Sequence, residues 1–348
     1  MPEFEFEGAF RISRAKAGVS SVTSTKGAFA VHNDLIYVAN ARNERKSIGI
    51  FRKPALQKTA LVADMPIAPN IKPFFDVQPE RVNESQFHIT GVFYDSEVNR
   101  LYVSLTEWYD ADKSNRSFLS VVNLTTGEKL GWYDVTNRQM AAGQILKTPT
   151  HLQDRIGRLY MHPEHWISII SRKSAGPGLH GWDGNFPKKG KIELAPFMYY
   201  PHTKTLGQHG AGDCRKPASP IFNRLARYEV SFFWKGSYIS VGKTGGLKGG
   251  TSYGRPPYGG PKGTFPCIKN DYDNYYWIWD VNEIFSAARP WSSKPVEYGR
   301  LNTHIPEPGW ITGAYFDTDR SKLYLMTAQD RIQSEYEWNP VIFQYQVR

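Results

Sequence analysis

Cysteine is nearly absent: Cys214 and Cys267 are the only two in 348 residues. That leaves room for one disulfide, pinning the two Gly/Pro-rich stretches in which they lie, or for two free thiols. No apolar run approaches the roughly 18 residues of a membrane-spanning helix. The first residues, MPEFEFEGAF, have neither the basic nor the apolar region of a leader, so a secreted protein would be represented here in mature form. Positive charge is not gathered into Lys/Arg tracts, and no RNA-recognition or zinc-finger pattern occurs, so nucleic acid is disfavoured. The net charge of +10 still attracts polyanions such as an acidic polysaccharide.

Several chemical motifs are missing as well. HPEH (162–165) places two histidines three apart without a third ligand, and it is not HExxH; His202 and His209 flank TKTLGQ just as loosely. No metal is assigned. KTGGLKGGTSYG lacks the GxxxxGK[ST] order and joins strands rather than opening a helix, so its glycines suit a mobile or tightly folded lid. The sequons at Asn83, Asn115 and Asn123 are about what chance provides. No motif places a cofactor, and whether Ca²⁺ plugs a central channel is not decided by sequence.

What is present is β-forming. Aromatic residues make up 14% of the chain, with 10 Trp and 20 Tyr, and 30 Gly with 23 Pro supply turns. Short runs alternate apolar and polar residues with period two, the pattern of antiparallel strands. ITGVFYDSEVNRLYVSL (89–105) recurs as ITGAYFDTDRSKLYLMT (311–327). The second half of this unit has weaker counterparts starting at Leu35, Ile167 and Ser237, besides Leu101 and Leu323, so five copies fill the chain.

Each copy is followed by a further apolar strand: SIGIF, SFLSVVNL, GLHGWDG, YYWIWDV and VIFQYQV. Four show a preceding strand, and KLGWYDV and PVEYGRL close two of the units. A four-stranded meander repeated around a centre predicts an all-β, five-bladed propeller occupying 1–348 as one domain. The last copy lacks its fourth strand, and FEFEGAFRIS at the other end supplies it, removing two open sheet edges. In the third unit, Pro149 follows Thr148, and Leu152, Ile156 and Leu159 share one helical face, predicting a short helical insertion over 148–161.

The blade count and terminal closure resemble the five-bladed β-propellers, which include glycoside hydrolase families and lectins. The ITG…LY repeat, ISRKSAG and the final ITGAYFD…PVIFQYQV are also similar to a group of uncharacterised bacterial propeller-like proteins. WD, kelch and Asp-box repeats are absent, and no hydrolase family's carboxylates map residue by residue. The resemblance implies architecture, and fold alone does not carry function.

In such a fold the second-to-third strand loops share one face. Here they are long and polar, whereas the first-to-second turns HND, DSEVNR, KG and DTDRSK are short. Binding residues favour loops on a rigid scaffold, which makes the elaborated face the expected site. Arg42, Arg45, Arg172, Lys243, Arg255 and Arg331 supply cations there, and Trp108 and Tyr253 supply rings that stack on sugars. Glu107 and Asp330 are the expected acid/base carboxylates for hydrolysis. A polysaccharide lyase would instead use a base such as Tyr109, His88 or His151. Loop-tip Arg and Tyr are as often plain solvated or packing residues, and Asp95 and Asp317 read as turn residues. The expectation is an extracellular or periplasmic monomer that binds or cleaves an acidic polysaccharide. Its rival is a non-catalytic lectin-like or protein-interaction propeller.

Overall fold

The computed structural model describes residues 1–14, 20–25, 27–41, 44–59, 61–78, 87–107, 117–135, 143–162, 175–185, 191–201, 203–207, 212–254, 263–331 and 338–348. Its strands form five antiparallel blades around a central axis. From inner to outer strand, blade one is Phe29–His32, Leu35–Ala39, Ser47–Arg52 and Asn70–Asp76. Blade two is Phe87–Asp95, Arg100–Glu107, Ser117–Asn123 and Lys129–Val135, with Lys191–Ile192 added in parallel at its edge. Blade three is Ile145–Lys147, Leu159–Met161, Leu179–Trp182 and Ala195–Met198. Blade four is Arg227–Trp234, Ser237–Gly245, Tyr272–Asp280 and Glu297–Arg300, and carries a separate hairpin of Thr251–Gly254 and Gly263–Pro266.

Blade five contributes Ile311–Asp317, Lys322–Arg331 and Trp338–Val347, and its fourth strand is the N-terminal Phe4–Ile12. The register runs from Phe4 opposite Val347 to Arg11 opposite Val341. Glu3 and Arg348 exchange backbone hydrogen bonds at the end of the ladder. The ring is thus closed by its termini, as the incomplete last repeat predicts.

The sequence places the second strand of blade three at ISIISRKS, which lies outside the described residues. Leu159–Met161 fills that position instead, pairing with Ile145–Lys147 on one side and Leu179–Trp182 on the other. The helical insertion is correspondingly short: a 3-10 turn at Thr150–Leu152 leads into Gln153–Ile156. Gly157, at φ 100°, ends it where any Cβ would meet the Trp182 backbone. Leu159 belongs to the strand because its backbone is needed for the blade ladder.

One aromatic position explains the Leu-Tyr of the repeat. Tyr37, Tyr102, Tyr160, Tyr238 and Tyr324 sit at matching places in the five second strands, all buried. Ring contacts then bridge every pair of adjacent blades: Tyr37–Tyr94 at 5.4 Å, Tyr102–Trp182 at 6.0 Å, Tyr160–Phe233 at 5.1 Å, Phe232–Phe316 at 4.0 Å and Phe29–Tyr315 at 6.2 Å. Two buried hydroxyls are satisfied across the third seam, Tyr160 donating to Ser231 O and Tyr238 to Gly178 O. The aromatic content is therefore largely inter-blade cement.

Candidate functional site

The two faces differ as the loop lengths predict. The second strands end, and the third strands begin, on one face, the face at which the inner strands start. On the other face most first-to-second connections are tight turns, eased by positive φ at Asn33, Asn99, Lys235 and Ser321. Asp95 accepts from Glu97 N, and Asp317 from Asp319 N and Arg320 N, so both are the turn residues expected. Blade three is the exception, since its helical insertion sits on this plain face.

The plain-face mouth of the channel is filled by engaged charges. Lys147 Nζ on blade three reaches Glu97 of blade two at 2.9 Å and Asp319 of blade five at 3.4 Å. The Lys147 hydrogen bond holds the Glu97 carboxyl below its usual range and raises the Lys147 ammonium in turn. Asp95 is paired with Arg158, and Asp317 with Arg320. These groups serve each other and leave little to offer a ligand.

At the elaborated face, the inner strands carry a β-bulge at one recurrent position. The register slips between Ile89 and Gly91, Tyr228 and Val230, and Ile311 and Gly313, leaving Thr90, Glu229 and Thr312 as the extra residues. All three are partly exposed. Glu229 was not singled out from sequence, although RYEVSFF set beneath HITGVFY puts it at the Thr position. It is a carboxylate on an innermost strand, beside the channel.

Asp330 ends the second strand of blade five and is buried; it forms an ion pair with Arg14 and accepts from Asn339 Nδ2 at 3.5 Å. Glu107 ends the second strand of blade two, its backbone opposite Phe87 at the entry to the inner strand. His88 follows Phe87 and is buried, its backbone opposite Thr106. Strand ends of blades two, four and five thus bring Glu107, Glu229 and Asp330 to the same face. His151 lies elsewhere, on the plain face, lining a cleft of about 230 Å³ with Phe233, Trp234 and Phe316.

Two of the expected cations, Arg45 and Lys243, are less available than the sequence implies. Arg45 donates twice to Asp76, which also receives Lys129 at 3.0 Å and so ties blades one and two. Burial raises the Asp76 carboxyl, but the Arg45, Gln78 backbone and Lys129 hydrogen bonds outweigh it and lower it overall. Lys243 is buried with its Nζ 4.9 Å from the Trp310 ring centre and 5.7 Å from that of Tyr272. Arg42, Trp108, Tyr109, Arg172 and Arg255 lie outside the described residues, as do the side chains of Tyr253, Arg331 and Glu107.

The two long irregular stretches are joined by the disulfide Cys214–Cys267. The glycine-rich loop between them is tightly folded. Asp271 accepts from Lys248 N and Gly249 N, and Gly250 at φ 77° would place any Cβ 2.0 Å from Asp213 O. Among the described residues no cluster of three or more His, Cys, Asp or Glu is arranged to hold a metal ion.

Another cavity, about 290 Å³ and on the elaborated face, is walled by Leu61, Val62, Pro306, Pro308, Trp310 and Gln329. Trp310 immediately precedes the inner strand of blade five, so this cleft runs outward from the channel mouth.

No protein-family model and no curated protein matches the sequence. Among solved structures, the chain is similar to an exo-β-1,3-galactanase from Phanerochaete chrysosporium with galactose, at 8% identity over 99% of this chain and 64% of that one, TM-score 0.48. It is also similar to an endo-arabinase from Bacteroides thetaiotaomicron VPI-5482, at 11% identity over 97% and 96%, TM-score 0.47. The chain spans less than two thirds of the length of the fungal galactanase. Five blades are established by the strand order and the terminal closure of this chain itself.

Proposed function

We propose that this propeller is carbohydrate-active and takes a glycan on its loop-elaborated face, with hydrolysis as its chemistry. The reading is supported by the strand positions of Glu107, Glu229 and Asp330, on three blades, at the face that also holds the Trp310 cleft. Glycoside hydrolysis needs one carboxyl group to protonate the leaving oxygen and a second carboxylate to activate water or attack the sugar. Carboxylates on separate rigid blades can flank one bond without moving. Glu107 and Asp330 are the proposed acid/base residues, with Glu229 the third carboxylate at the channel. The net charge of +10 favours a polyanionic chain as the whole substrate. The disulfide supports an extracellular or periplasmic setting, where such bonds persist, and the protein acts as a monomer.

Incubation with neutral and uronate-containing polysaccharides, following reducing ends and the absorbance of unsaturated products, tests this reading. Reducing ends without the unsaturated chromophore are expected. The chromophore would instead make the protein a lyase, and binding without either signal would make it a lectin. Glu107→Gln, Glu229→Gln and Asp330→Asn each isolate one carboxylate, and wild-type turnover in all three would remove the assignment. Asp330→Asn also loosens Arg14, so its thermal midpoint must be read alongside its rate.

A further inference from the structure

Trp310 is held as a platform. Asn274, on the third strand of blade four, donates through Nδ2 to Gly309 O at 3.4 Å and accepts at Oδ1 from Ile311 N at 2.9 Å. The backbone is therefore gripped on both sides of the tryptophan. Gly309 N donates to Pro306 O, and Gln329 Nε2 donates to the same carbonyl at 2.5 Å. A Cβ at Gly309 would fall 2.2 Å from that Gln329 nitrogen, so the 306–309 segment lies flat against the end of blade five. The indole packs at 5.0 Å and 39° against Tyr272, beneath the buried Lys243 ammonium. Its remaining surface lines the cleft with two prolines and the aliphatic Leu61 and Val62.

A clamped indole opposite rigid apolar walls is suited to the C–H face of a sugar ring. The volume, about 290 Å³, sits at the small end of ligand cavities and matches a unit of oligosaccharide rather than a long segment. Charge decides which sugar. Among the described residues no Lys or Arg side chain lines the cleft. The neighbouring Arg14 is paired with Asp330, and Lys243 lies buried against the rings. A uronate would lose hydration there without gaining a cation from any described lining residue, whereas an uncharged sugar loses nothing comparable.

We infer that the Trp310 cleft is a subsite for an uncharged sugar unit, outward of the channel mouth. It rests on the reading of this face as glycan-binding, and it adds that the chain recognised carries neutral units as well as whatever acidic ones the basic surface attracts.

The test titrates the intact protein with neutral gluco-, galacto-, xylo- and arabino-oligosaccharides and with oligogalacturonates, using calorimetry and tryptophan fluorescence. At least one neutral series is expected to bind and to perturb the fluorescence. Trp310→Ala should weaken that series about tenfold or more, and Trp310→Phe should retain part of the affinity. Asn274→Ala, which frees the platform without removing the ring, should weaken the same series with little change in thermal midpoint. Wild-type affinity in Trp310→Ala would overturn the subsite while leaving the glycan reading standing. Equal loss for neutral and uronate series would overturn its selectivity. Failure of every oligosaccharide to bind the wild type would bring down both.

Discussion

The Glu7 carboxylate receives Lys322 Nζ at 2.9 and 3.0 Å, joining the N-terminal strand to the second strand of the last blade. Gln344, on the strand between them, donates to the same carboxylate. Covalently these residues are nearly a whole chain apart, so the cluster forms only when the ring closes. Burial raises the Glu7 carboxyl, yet the Gln344 and Lys322 hydrogen bonds and nearby positive charge lower it below its ordinary 4.5. Its stabilising effect is present above about pH 4.5 and is lost as the pH falls through the lowered value. Glu7→Gln should cost about 1 kcal/mol at neutral pH, with the gap to wild type narrowing below pH 4.5. Thermal midpoints of both proteins across that range check it.

His180 has the opposite chemistry. It is fully buried on the third strand of blade three, stacked 6.0 Å from Tyr199, with no hydrogen-bond partner at either ring nitrogen. Burial pushes its imidazole down from 6.5 to about 3. The unfolded chain therefore binds a proton that the folded one refuses, and stability falls as the pH drops from about 6.5 toward 3. Between pH 7.5 and 5.0 this single group should cost about 2 kcal/mol. His180→Leu, close in volume and unable to protonate, should lose that much less over the same interval in urea unfolding. Equal losses in the two proteins would show that His180 does not drive the acid response.

The glycine of the ITG repeat is a site of close contact between blades. A Cβ at Gly91 would lie 2.1 Å from Gly143 O, and one at Gly313 would lie 2.1 Å from Gly27 O, both backbone atoms of the adjoining blade. Gly91→Ala and Gly313→Ala should each destabilise by roughly 3 kcal/mol or prevent ring closure. Ala at Gly127, which has open space around it, is the contrast: its φ of 73° strains the backbone only locally. A smaller loss at Gly91 and Gly313 than at Gly127 would refute the close-packing explanation.

Cys214 and Cys267 close a loop with a sequence separation of 53. In the chain-entropy account, opening it by Cys214→Ser with Cys267→Ser should lower stability by about 2–4 kcal/mol. The hairpin Thr251–Gly254/Gly263–Pro266 lies within this loop, so proteolysis should begin there in the double variant. Calorimetry and mapping of the first cleavage products measure both effects.

Much of the architecture was legible because a propeller repeats its local chemistry. Period-two alternation, turn residues after each inner strand, the incomplete last unit and the orphan first strand together specified five blades and their closure. The third blade departs from the pattern because ISIISRKS alternates as well as any strand does, while Leu159–Met161 holds the second-strand place. Leu159-Tyr160 was the better guide, since the tyrosine that recurs in every second strand has a packing duty between blades. Alternation reports that a segment can pair; only the seam shows which segment does.

The site was less legible for the same physical reason. Sequence alone predicted that one face is elaborated and offered carboxylates, cations and aromatics for it. Partnership was decided by the tertiary structure: Asp330 with Arg14, Asp76 with Arg45 and Lys129, Lys243 against Trp310 and Tyr272. Those partners are far apart in sequence, and no local pattern encodes which charge meets which. Glu229 gained its place from a bulge, and Trp310 from an amide on the neighbouring blade. Strand formation depends on neighbours along the chain, whereas the chemistry of a propeller face depends on neighbours around the ring.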